Sequence, residues 1–476
     1  MTSHQPELHL SLESGILEAP AGVLLDGTTW HLFYQYRQDK GAPTRWGHTT
    51  SEETPFEWME CDDVLAPAGG ELSLRAGSVT AEEGSINLYF TSVTSTDTAV
   101  HLARFSDFTD PCVLSEDKLA LDPHVTRYGE VAGSITNYTR FRSPSVVPNW
   151  ASDDRDEGHE GWLMLALTGH SDAPKPVILE SPDGVSWTFK GPLTLDGDAG
   201  FNESEVPSTS PLPPVVSPRV VRLRDEIDGK IYDVLLVTLE RDHRDVSGYL
   251  VGRLEGTTFS IVSGFQRIDF GHDFSRPRNT NFTTGTVAQG KRYDEAIIFG
   301  LLNGAGRADD PTQQLAFKEE GWANSLALPR HITLQGGKLY MTPPPGLQDA
   351  ILATDRARSW TGIMNVPAGG SVALTLLDAH GKPAAVVTHA ADKLTLDRSM
   401  SATFGESQPA VAPLVEDDTD ALTVVVDGNT VEVFADGGQA AMASRVYFDG
   451  YCSGIEVATE GGAEVEQFYE RKGSKF

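Results

Sequence analysis

Residues 15–36, GILEAPAGVLLDGTTWHLFYQY, place a Pro-x-Gly turn ahead of an aromatic strand that ends in Gln35 and Tyr36. Aromatic and branched residues in a short run, bounded by turn formers, are the mark of a β-strand. Runs of the same kind recur along the chain: SINLYFTSV (85–93), GWLMLALTG (161–169), YDVLLVTLE (232–240), GYLVGRL (248–254) and EAIIFGLLN (295–303). Convincing amphipathic helices are few. The fold class read from this pattern is all-β.

The runs also repeat. SPSVV (143–147) and SPRVV (217–221) resemble each other, each beginning a strand. Small sheets repeated in series point to a β-propeller, in which each blade is one sheet of about four strands. The segment MTPPPGL (341–347) interrupts the series, because its prolines cannot sit inside a sheet. Beyond it, LTVVVDGNTVEVF (422–434) reads as a hairpin turning at Asp427-Gly428-Asn429. The organisation expected is a propeller over 1–340 and an antiparallel β-sandwich over 350–476. Residues 201–218, FNESEVPSTSPLPPVVSP, read as a Pro/Ser-rich loop.

Charge narrows the function classes. Lys+Arg 37 against Asp+Glu 68 leaves a net charge of −31. So acidic a chain repels phosphate backbones and anionic bilayers, so neither nucleic acid nor a membrane is the expected partner. No run approaches the length of a membrane span. The three cysteines, Cys61, Cys112 and Cys452, are scattered and odd in number, which fits a reducing compartment. With no basic, apolar leader at the start, a cytoplasmic location is expected. His48 and His272 share no metal-binding spacing, so no metal is expected, and no cofactor motif is present.

Several stretches together resemble one family. HLFYQY (31–36), WGHTTS (46–51), GYLVGRLEGTTF (248–259), RIDFGHDF (267–274), GWANSLALPRHITLQGGKLYMTPPPGL (321–347), VEVFADGG (431–438) and ASRVYF (443–448) are similar to motifs of the invertase and β-fructosidase family, glycoside hydrolase family 32. The resemblance implies a five-bladed propeller followed by a C-terminal sandwich. It also implies a chemistry in which two carboxyl groups flank the scissile bond, one as nucleophile and one as acid.

Carried over one at a time, the family's acids are missing. N-D-P-N-G falls on Glu18-Ala19-Pro20-Ala21-Gly22, so Ala19 holds the nucleophile position. R-D-P falls on Arg142-Ser143-Pro144, so Ser143 replaces the sugar-holding Asp. E-C-P falls on Val216-Ser217-Pro218, so Val216 holds the acid position. F-S-G-S falls on Arg75 to Ser78, and D-F-Y-A-P-Q on Asp273 to Arg278. Gln35, Trp46, Ser78, Arg142 and Asp273 remain as expected sugar contacts. Glu18 and Glu205 are the acids nearest the vacated positions. Side chains alternate along a strand, so Glu18 is expected to face away from Ala19's side unless a bulge re-aims it.

Three functions follow from this pattern. The first is a catalytically degenerate homologue that binds a small sugar, a β-fructoside such as sucrose, plain or phosphorylated, in the propeller funnel. The second is an active β-fructosidase with a rearranged acid set. The third is a structural or regulatory partner of an active paralogue. Arg75 and Arg278 are either an anion site in the pocket or surface groups, and association into oligomers is left open.

Overall fold

The computed structural model describes residues 4–82, 84–106, 113–149, 161–201, 215–241, 244–303, 310–401, 403–405, 407–415 and 420–475. Up to residue 342 the strands group into consecutive antiparallel meanders. The first comprises Gly15–Asp26, Thr29–Arg37, Arg45–Glu52 and Met59–Leu65. Three more begin at Ser73–Glu82, Arg142–Pro148 and Val215–Arg224. A fifth group begins at Phe274–Phe282 and runs through Ala296–Leu302, Arg330–Gln335 and Lys338–Thr342.

Apolar side chains on the sheet faces join each group to the next. Phe33, Leu74 and Phe90 pack between the first and second, Val100, Val146 and Met164 between the second and third. Leu165, Leu235 and Phe259 join the third and fourth, Leu236, Phe274 and Ile298 the fourth and fifth. Leu32, Tyr34, Ile297 and Phe299 join the fifth to the first, and Val23–Leu25 pair in parallel with Thr280–Phe282. Burying such rows of large side chains is the main favourable term in the fold.

A different pair of sheets follows the helix Leu347–Ala353. One orders Ala440–Arg445, Thr430–Ala435, Asp420–Asp427, Arg358–Asn365 and Glu464–Lys472; the other is built on Ser371–Leu377 and Pro383–Ala390. Trp360, Leu374, Leu396, Val424 and Val433 fill the space between them. The expected hairpin is present: Asp427 pairs with Thr430 across Gly428, whose φ is +55°.

Two sequence expectations are corrected here. Pro20-Ala21-Gly22 is not a turn ahead of a strand but a bulged part of the strand Gly15–Asp26, whose pairing with Thr29–Arg37 slips between Leu17 and Ala19 and again between Pro20 and Gly22. Proline has no N–H for the ladder, so a bulge accommodates it where a regular strand would not. Likewise Val215-Val216-Ser217-Pro218 are not loop but the start of the strand Val215–Arg224. The rest of the Pro/Ser-rich segment, 202–214, lies outside the described residues, and Glu205 with it.

Candidate functional site

The opening strands of the five groups each slip in register, and three of them share a further distortion. Ser143, Ser217 and Arg276 have φ of +54°, +54° and +51°, and each precedes a proline. Strand pairing slips at the same place: between Val216 and Arg219, between Ser275 and Arg278, and between Arg75 and Ser78 in the second group. A left-handed non-glycine residue before proline throws the chain out of the ladder and turns a side chain toward the open end of the strands.

Those side chains line one cavity of about 520 Å³. Its wall includes Glu18 and Ala19 from the first opening strand, Arg75 and Ala76 from the second, Arg142 and Ser143 from the third, Val216 and Ser217 from the fourth, and Arg276 and Arg278 from the fifth. Gln35, Arg37 and Asn324 complete one side. The three positions matched to the family's acids, Ala19, Ser143 and Val216, are thus brought together on one surface.

Glu18 corrects the expectation that it faces away. The slip between Leu17 and Ala19 lets both Glu18 and Ala19 reach the cavity. Its carboxylate is fully engaged there: Gln35 Nε2 donates to Oε2, and Arg37 forms an ion pair with Oε1. Gln35 Oε1 in turn accepts from the Ala76 N–H at 2.6 Å. Glu18 is the only carboxylate among the described residues that line the cavity.

Three expected sugar contacts are elsewhere. Trp46 is fully buried among Ala19, Phe90 and Leu74, and its Nε1 donates to the Arg75 carbonyl at 3.2 Å. It lies on the third strand of its meander and does not line the cavity. Ser78 binds backbone instead: its Oγ donates to the Val146 carbonyl and accepts from the Val146 N–H at 3.1 Å. Asp273 faces the sandwich, accepting from Arg398 Nη1 at 2.6 Å and from the Arg445 N–H at 2.7 Å. Burial alone would raise its carboxyl, but Arg398 and Arg445 outweigh that and hold it at about 2.

Cations dominate the wall instead. Arg142 Nη1 donates to the carbonyls of Arg140 and Gly169, at 3.0 and 2.6 Å. Arg276 pairs with Asp245 behind the wall at 2.8 Å. Arg278 Nε donates to the Pro20 carbonyl at 3.1 Å and Nη1 to Ser217 Oγ at 2.8 Å, so its guanidinium spans the strands that carry positions 19 and 216. Burial, and then the Arg276 charge, bring it down to about 9. Arg37 was missed by the motif reading, although a signal was present: it stands two residues after Gln35 on one strand and shares its face. Arg276 was missed because its direction depends on the bulge.

The chain can now be set beside known proteins. Residues 9–343 match the model of the glycosyl hydrolases family 32 N-terminal domain, and residues 369–470 that of the family 32 C terminal. A sucrose-6-phosphate hydrolase of Bacillus subtilis (strain 168) is 26% identical over 362 residues, an alignment covering 72% of this chain and 66% of that protein. A sucrose-6-phosphate hydrolase of Escherichia coli is 22% identical over 490 residues, covering 93% and 89%. The solved structure of sucrose-6-phosphate hydrolase from Lactobacillus gasseri superposes with a TM-score of 0.76 at 17% identity, covering 99% of this chain and 94% of that one. A family 32 β-fructofuranosidase mutant of Bombyx mori in complex with sucrose gives 0.74 at 19% identity, covering 98% and 94%. With the family models matched on either side of residue 350 and the fold shared over nearly its full length, this chain belongs to glycosyl hydrolase family 32.

Proposed function

We propose that this family 32 protein binds a β-fructoside-type sugar in the cavity and does not hydrolyse it by the two-carboxylate route. The observation that carries this is that Glu18, the single lining carboxylate among the described residues, is already held by Arg37 and Gln35. Glycoside hydrolysis needs two carboxyl groups, about 5–5.5 Å apart when the configuration is retained and about 6.5–9.5 Å apart when it is inverted. With Ala19, Ser143 and Val216 at the matched positions, neither spacing is available among the described residues. The sugar-binding half of the reading draws on relatives solved with sucrose and with fructose.

The architecture we infer for this function is a five-bladed propeller over 1–340 with its funnel at the cavity, and a sandwich over 350–476. Five consecutive meanders, apolar clusters joining each to the next, and the parallel contact between the first and fifth support it.

The test uses the full chain with sucrose, sucrose 6-phosphate and inulin, reading released fructose alongside calorimetric binding. Binding heat without fructose above a buffer blank is expected. Turnover that Glu18→Gln abolishes would overturn the reading in favour of an active enzyme with a rearranged acid set, since loss of an essential carboxylate costs orders of magnitude in rate.

A further inference from the structure

Several buried charges in this protein meet opposite charges. Arg330 faces Asp269 at 2.7 Å and Glu432 at 3.0 Å; Arg222 faces Asp233 at 2.6 Å; Asp273 faces Arg398 and Arg445. Two buried arginines, one lining the cavity and one close to it, depart from this. Arg278 and Arg219 are 4% and 1% exposed, and neither meets a carboxylate among the described residues. Among the described residues Arg278 binds only a carbonyl and a serine hydroxyl, which leaves Nη2 without a partner there. Arg219 Nη1 donates to the Pro144 carbonyl at 2.7 Å, while its Nε and Nη2 have no hydrogen-bond partner among the described residues. The two cations repel each other, and burying them uncompensated is strongly unfavourable. Arg278 lines the cavity and Arg219 lies beside it, so an anion that enters the cavity would balance this charge.

The surroundings say what that is. Ala19, Ser143 and Ser217 are small side chains lining the same cavity as Arg278. Ser143 lines the same wall, and its Oγ makes no hydrogen bond among the described residues, so it is available as a second donor. Glu18, the one lining carboxylate among the described residues, is neutralised by Arg37.

We propose that the cavity takes a sugar bearing an oxyanion, a carboxylate or a phosphate, which enters anion first and seats on Arg278 Nη2 with Ser143 Oγ as the second donor. This rests on the reading that the cavity binds a sugar without hydrolysing it, and it adds which end of the ligand lies deepest and why.

The test is calorimetry on the full chain with fructose, fructose 6-phosphate and gluconate at matched ionic strength, on wild type, Arg278→Met and Ser143→Ala. An anionic sugar is expected to bind at least about 10–100-fold more tightly than fructose, the equivalent of the ~1.5–3 kcal/mol of a charge-assisted hydrogen bond. Fructose 6-phosphate and gluconate separate phosphate from carboxylate. Arg278→Met should erase the preference while melting no lower than wild type, because it removes an unbalanced charge. Ser143→Ala should weaken the anionic sugar several-fold and leave fructose unchanged, which keeps the test open if Arg278→Met fails to fold. Equal affinity for fructose and both anions, or a preference that survives Arg278→Met, would overturn the proposal. Fructose release is scored separately: hydrolysis of a neutral fructoside defeats the reading above, whereas the affinity ratio alone decides this one.

Discussion

Two fully buried arginines make opposite predictions. Arg330 is held by Asp269 and Glu432 and lies 4.3 Å from the centre of the Phe274 ring. Replacing it with Met strands two buried carboxylates, so Arg330→Met is expected to cost about 3–5 kcal/mol in urea unfolding. Arg219 has no counter-charge among the described residues, and burial with the nearby Arg278 charge pulls its guanidinium well below the usual range. Arg219→Met should therefore leave stability unchanged or raise it, by up to about 1–4 kcal/mol. The same logic governs attempts to restore catalysis. Ala19→Asp, Ser143→Asp and Val216→Glu put acids on the wall that Arg278 occupies, where its charge would bind them as fixed partners. Fructose release from sucrose is expected to stay at background in that triple variant and to appear only when Arg278→Gln is added. Activity in the triple variant alone would show that the arginine is no obstacle.

At the scale of elements, the bulges decide what the cavity contains. Gly77 lies in the slipped part of its strand, and a Cβ there would come within 1.8 Å of the Tyr89 carbonyl oxygen. Gly77→Ala must push two strands apart and is expected to lower stability by about 1–3 kcal/mol or more. Ser143 is the converse case: its φ of +54° suits glycine, and its backbone N–H bond to Thr91 Oγ1 survives substitution. Ser143→Gly should be neutral or up to about 1 kcal/mol stabilising, read from the same melts. These bulges also explain what the sequence made legible. Strands such as SINLYFTSV (85–93) and the Asp427–Asn429 hairpin were readable because composition and turn residues specify them locally. Positions 19, 143 and 216 were readable because each precedes a proline, by one residue at 19 and 143 and by two at 216, that marks its place. The direction of Glu18 was not, since a one-residue slip reverses a side chain without changing a letter of the sequence. Trp46 and Asp273 show the other limit. A motif fixes a residue's neighbours along the chain, but not whether it sits on the strand beside the cavity or faces a second layer that only the tertiary fold supplies.

Across the whole molecule, one buried network ties the two regions to the N-terminal segment, and its pH response can be worked out. Asp427, at the hairpin turn of the sandwich, accepts from the Glu7 and Leu8 N–H groups at 2.8 Å each. His9 lies between Asp427 at 2.8 Å and Glu432 at 3.1 Å, and Glu432 also holds Arg330 from the first region. Burial alone would lower the His9 imidazole, but Asp427 and Glu432 outweigh it and raise it from 6.5 to about 9. A group raised on folding stabilises fully below its unfolded value, and that contribution is lost as pH climbs through its folded value. Stability should therefore fall between about pH 6.5 and 9, by roughly 3 kcal/mol at about 1.4 kcal/mol per pH unit. The acidic side behaves oppositely, because Asp427 and Glu432 are held below their usual range and lose their contribution only as they protonate. A net charge of −31 also opposes compactness at high pH, but through exposed groups that salt screens. Urea midpoints measured from pH 6 to 10, at low and at 0.5 M salt, separate the two. The His9 component should persist in salt and vanish in His9→Met, which starts less stable but shows a flatter alkaline slope. Parallel slopes for the two proteins in salt would mean that His9 does not carry the effect.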